Sequence, residues 1–186
     1  ITDSHALTPH FLTSRPGSIE TVKGSFDSGK NVFMLNEKLK VVMEKTPSGL
    51  FQRAFVDGKE VDKKPIDITL GSGRQGQTYL FWKDSVLYQL PASYHAPSDT
   101  WSNSPGYPPD QILFNRSISA RCLECHSTYF KIGKTIVEGE TFDRNQVMLS
   151  VDCERCHGPA GRHVTFHLKH PDESQAKHIV NPARLN

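Results

Sequence analysis

The chain has 186 residues, 36% of them hydrophobic, with 13 glycines, 12 prolines and a formal net charge of +2. That length suits one compact domain or two small ones, and the near-neutral charge excludes the basic field of a nucleic-acid binder. No apolar run approaches the roughly 20 residues that cross a bilayer, and the sequence leaves any other membrane attachment undetermined.

Residues 1–30 are polar and turn-rich, broken by Pro9, Pro16, Gly17, Gly24 and Gly29. The opening Ile1-Thr2-Asp3 lacks the basic-then-apolar order of a secretion leader, and a first residue other than Met is expected of a processed or partial chain. From 31 to 90, short β-branched and aromatic runs predict strands: NVFML (31–35), KLKVVMEK (38–45), LFQRAFV (50–56), IDITL (66–70), QTYLFW (77–82) and VLYQL (86–90). Ser48-Gly49, Asp57-Gly58 and Lys83-Asp84-Ser85 between them predict tight turns and an antiparallel meander. Residues 91–110, PASYHAPSDTWSNSPGYPPD, read as a Pro/Ser loop over the surface.

Residues 111–186 hold all four cysteines and six of the nine histidines. Short helices are expected there, the longest over GRHVTFHLKH (161–170). The expected class is α+β: an antiparallel β-meander followed by a loop-rich, short-helix region. A β-rich segment with a polar N-terminal arm should occupy 1–110 and the cysteine-bearing segment 111–186, packed as one unit.

GSGRQG at 71–76 matches the glycine pattern of dinucleotide-binding turns. That chemistry needs a helix to open there and an acidic residue about 20 positions on. QTYLFW follows instead, and the later region is PASYHAPS. The pattern reads as a hairpin loop.

The informative segments are RCLECHSTYF (121–130) and VDCERCHGPA (151–160). Disulfides, a thioredoxin-like pair, zinc and haem attachment compete for them. Disulfides within each pair would close only the tightest loops and stabilise little. A thioredoxin-like site needs one pair in a βαβ unit. A zinc ribbon uses two C-x2-C pairs, but its usual gap is about 15–20 residues and it gives no role to the following histidines. Nine histidines in 186 residues would place one behind both pairs by chance roughly 1 time in 400. Haem attachment explains every feature: two thiols three apart reach the two vinyl groups of one porphyrin, and the next histidine lies under the iron. Two haem c groups are therefore expected, on Cys122, Cys125 and His126 and on Cys153, Cys156 and His157. Each plate would also augment a thin core.

Electron carriers fill both axial positions of the iron, whereas haem enzymes leave one open. Met34, Met43 and Met148 look like packing residues. Among the histidines, His163 follows His157 by six positions, about 20 Å if extended and about 9 Å if helical. That is too short to pass easily to the far face of the same plate, so His163 is expected to cap the neighbouring haem, with His167 one turn on as its competitor. The haem of His157 then needs a distant partner, with His5, His95 and His178 as candidates.

These residues resemble the multihaem c-type cytochromes related to the tetrahaem cytochrome of ammonia oxidisers. DSHA, KGSF, IDITLGSGRQGQTYLFW, LYQLPASY, WSNSPGYP, RCLECHSTYF, CERCHGPAGRHV and IVNPARL carry the resemblance, the C-x-x-C-H pairs and CHGPAGRH being its specific parts. It implies closely spaced covalent haems, bis-histidine ligation and electron transfer outside the cytoplasm. It also implies distal roles for a histidine like that of DSHA and for one placed like His163, which selects His5 and His163. Such proteins often carry further haem motifs before and after these segments, leaving open a two-haem form or a stretch of a longer chain.

The expectation is an electron carrier in the periplasm or another extracytoplasmic space, partnered by redox proteins, other haem subunits or flanking haems. The alternative is a multihaem oxidoreductase whose open haem acts on a small nitrogen, sulfur or peroxide species. Tyr94, His95, Asp99 and Arg74 would then line a pocket, against their simpler reading as loop hydrogen bonding. Arg116, Arg121 and Arg155 are candidate partners of haem propionates.

Overall fold

The computed structural model describes residues 3–185. The polar arm forms helix α1 (Asp3–Ala6), a 3-10 turn at Phe11–Thr13 and strand β1 (Ser14–Pro16). Strands β2 (Val32–Met34), β3 (Leu39–Thr46), β4 (Gly49–Val56) and β5 (Lys59–Pro65) make a four-stranded antiparallel meander in chain order. Asp57 and Gly58 both adopt positive φ, 48° and 78°, the twist a two-residue hairpin requires. β5 reads KEVDKKP, too charged to signal a strand. Its edge position explains the composition, since lysine and proline blunt an exposed edge.

Strands β6 (Ile68–Leu70), β7 (Gly76–Lys83) and β8 (Val86–Gln89) lie in a second, eight-stranded sheet, with β1 beside β6. Residues 71–75 thus close a β6–β7 hairpin, and no helix opens there. The presumed loop 91–110 contains a further hairpin, β9 (Ala92–His95) and β10 (Thr100–Asn103). Its strands carry a buried Trp101 and half-buried Tyr94 among the serines that suggested a loop.

Beyond these lie helix α2 (Ala120–His126), strands β11 (Ser127–Ile136) and β12 (Gly139–Leu149), and helices α3 (Cys153–His157) and α4 (Gly161–Lys169). The helices are short and α4 is the longest, as the composition predicts. The β11–β12 hairpin was not legible: its register shifts at three places, which destroys the strict alternation that marks a strand. β12 joins the second sheet at Thr141, opposite Val86. Among the described residues, no helix is long and apolar enough to cross a membrane.

Two cores follow. Val41, Met43 and Leu50 of the meander pack on Tyr79, Phe81, Tyr88 and Trp101. Gln52, fully buried, clamps the two sheets together: its Nε2 donates to the Ala92 carbonyl at 2.7 Å and its Oε1 accepts from the Ala92 amide at 3.0 Å. The second core, Ile68, Leu70, Leu80, Leu87, Ile118, Leu123 and Phe142, seats α2. Of the three methionines, only Met43 is core; Met34 and Met148 are 52% and 55% exposed. Met34 lies on an edge strand with an exposed–half-buried–exposed pattern.

Burial holds the Tyr79 phenol far above its usual range and raises Tyr107 likewise. The folded state therefore favours the neutral phenol. Stability is complete below the unfolded tyrosine pKa of about 10 and falls as pH rises above it, by ~1.4 kcal/mol per pH unit for each such tyrosine. Denaturant titrations between roughly pH 10 and 12 should show this decline, and Tyr79→Phe should lessen its slope by one such increment.

Candidate haem-binding site

Cys122 and Cys125, and likewise Cys153 and Cys156, stand i, i+3 on α2 and α3, so each pair shares one helix face. All four thiols are free, and three of the four are exposed. Between the cysteines of the first motif Leu123 points inward, fully buried, and anchors α2 to the second core. Glu140 of β12 caps the same helix by accepting from the Ala120 amide at 2.6 Å. Asp152 caps α3, accepting from the Cys153 amide at 2.6 Å.

The long gap between the motifs is the β11–β12 hairpin. β11 leaves directly from His126 and β12 returns to Leu149, opposite Ser127, so the hairpin brings the second motif back to the first. Thr128 Oγ1 donates to the Ser150 carbonyl and accepts from the Asp152 amide, both at 2.9 Å. Arg155 of α3 donates to the Glu124 carbonyl of α2 at 2.9 Å. Arg116 instead donates to the Pro105 carbonyl, and Arg121 is exposed.

The N-terminal arm closes over this junction. Thr13 Oγ1 lies 2.8 Å from His126 Nδ1, Ser14 Oγ donates to the His126 carbonyl, and the Ser150 amide donates to Ser14 Oγ at 2.8 Å. The Val151 amide donates to the His10 carbonyl at 3.0 Å. Sequence reasoning gave the arm only its histidine; Thr13 and Ser14 carry no motif that could have found them.

His5 is brought to the second motif. Its Nε2 is 3.3 Å from Asp152 Oδ1 but out of line for a hydrogen bond, leaving a buried ring nitrogen without a hydrogen-bond partner. His5, Asp152 and Cys153 place ligand atoms within 4.8 Å of one another. Among the described residues this is the one such trio, so the four cysteines do not converge on a common ion as a zinc ribbon requires.

His157 and His163 line one cavity of about 470 Å³ with Cys153 and the apolar side chains of Val164, Ile179 and Val180. His157 Nδ1 is 2.8 Å from the Val180 carbonyl and His163 Nδ1 is 2.7 Å from the Lys177 carbonyl. Each ring is thus fixed through Nδ1, and Nε2 is left to a ligand, the usual arrangement of a metal-binding imidazole. His126, held at Nδ1 by Thr13, follows the same rule. A free pair of thiols, an oriented imidazole and an apolar cavity fit a covalently held porphyrin.

The weaker candidates lie elsewhere. His167 Nε2 accepts from the Lys177 amide at 3.4 Å, and its ring lies 4.6 Å from that of His163. His178 packs on Phe166 at 5.1 Å. His95 is exposed at the β9–β10 turn with Nδ1 2.8 Å from Ser98 Oγ, and Tyr94 donates to Asp99 at 2.8 Å.

A family model described as cytochrome c554 and c-prime matches residues 99–158, the stretch that contains both motifs. No curated protein and no solved structure matches the chain. The family match, on top of this geometry, supports a c-type cytochrome, with covalently held haem, iron and electron transport as its chemistry.

Proposed function

We propose that the protein is an electron carrier with two haem c groups, one on Cys122 and Cys125 under His126 and one on Cys153 and Cys156 under His157. The observation that carries this reading is the pair of C-x-x-C-H helices set side by side, each histidine tethered at Nδ1. Haem iron supplies a one-electron couple, and a bis-imidazole field sets it below that of His/Met cytochromes. His5 and His163 would supply the further imidazole donors. The orphaned Nε2 beside Cys153 supports His5 on the second haem. The Lys177 tether supports His163 as a donor, and the short reach from His157 favours the first haem for it.

The chain's own groups orient these donors: Thr13 holds His126, Val180 holds His157 and Lys177 holds His163. The protein works in the periplasm or an equivalent extracytoplasmic space, exchanging electrons with redox proteins, other haem subunits or flanking haems of a longer multihaem chain. Intact mass and the pyridine haemochrome spectrum test the count, with two haems per polypeptide expected. Both should be low-spin and indifferent to carbon monoxide. A colourless protein, or the bare chain plus one divalent ion, overturns the reading.

Thr13→Val should keep both haems attached and raise the midpoint potential of one. Losing the hydroxyl acceptor weakens the electron donation of His126, and redox titration followed at the haem absorbance reads the shift.

A further inference from the structure

Helix α4 separates two cavities. Its His163 side lines the one described above; its opposite side, with Gly161 and His178, lines a second of about 400 Å³. Arg162, Thr165, Phe166 and Lys169 stand at i, i+3, i+4 and i+7, one helix face. A surface helix carries apolar residues on the face that meets a core and charged ones on the face that meets water. Here two long cations flank a single phenylalanine.

Neither cationic side chain has an ion pair among the described residues, and no carboxylate lines the cavity. Glu173 is 3.9 Å from Lys177, and Glu154 accepts from the Ala160 amide at 2.9 Å. Phe166 is bracketed by the rings of His170 and His178, at 4.5 Å and 5.1 Å between centroids. An unpaired arginine beside an aromatic ring has the composition of an interface hot spot.

We propose that this face of α4 is the docking site of an acidic protein partner, whose carboxylates meet Arg162 and Lys169 across Phe166. Seven residues separate the cations by about 10 Å along the axis. That spacing matches carboxylates spread over a protein surface rather than the oxygens of one small ion. The role in electron exchange rests on the carrier reading above; the docking itself does not.

Calorimetric titration of the haem-bearing protein with a decaglutamate peptide, at low and at physiological salt, is the test. Binding should weaken as salt rises, because exposed charges are screened. R162E/K169E should lose about tenfold in affinity at low salt. K38E/K59E, with the same charge change at the turns of the four-stranded sheet, should stay within about twofold. Unchanged binding in R162E/K169E overturns the proposal, and so does an equal loss in K38E/K59E, which would reduce the effect to net charge. Displacement of the peptide by an equimolar amount of inorganic phosphate also overturns it, in favour of a small-ion site. A preparation without haem absorbance refutes the carrier reading instead and leaves the peptide result intact.

Discussion

Alanine at both Cys122 and Cys125 will leave a protein with half the covalent haem of the parent, and alanine at Cys153 and Cys156 will remove the other half. Each pair sits on its own helix, and no thiol is shared or oxidised. Attachment at one motif therefore needs no chemistry from the other. Haem absorbance per polypeptide after acid extraction of loose haem, with intact mass, reads the result. Loss of all colour from either double variant would contradict independent attachment. The two variants should differ in stability. α2 lies on a packed core through Leu123, whereas every residue of α3 is exposed. An empty second motif leaves the sheets intact, because no residue of α3 belongs to either core.

Leu123→Ala should destabilise the protein by about 2–5 kcal/mol in denaturant titration, the range for deleting a fully buried leucine. Set against the 5–15 kcal/mol typical of a whole domain, that is a large fraction. Leu123 is the fully buried contact of the first motif with Leu70, Leu80, Leu87 and Phe142, with Cys122 packed beside it. Haem content should stay at two in the folded fraction, since all four thiols remain. Leu123→Met, which keeps the volume, should cost under about 1.5 kcal/mol. If alanine at this position were neutral, α2 would not be anchored by the second core.

Strands of both sheets were legible, β5 excepted, because LFQRAFV and QTYLFW combine β-branched and aromatic residues, with turns such as Asp57-Gly58 between strands. The two C-x-x-C-H stretches stand out in the sequence because the pattern is local, within about one helical turn. What joins the motifs was not legible. β11 and β12 keep many exposed polar and glycine positions, and their bulges break the period of two. Nor could the sequence set Thr13 and Ser14 on His126, because contacts across 112 or more positions leave no periodic trace. β9 and β10 were hidden by proline and serine, although Trp101 among them donates to the Ser25 carbonyl at 2.9 Å and packs on Tyr79.

The strap from His5 to Ser14 is the first part of the described chain to be made and among the last that can settle. Its partners, from His126 to Asp152, emerge from the ribosome more than a hundred residues later. Closing so long a loop is slow, and a lid that forms late is also the first to lift. The sheets can thus be largely set before the strap closes on His126, and three of the four sulfurs stay exposed even afterwards, within reach of a maturation enzyme at either stage.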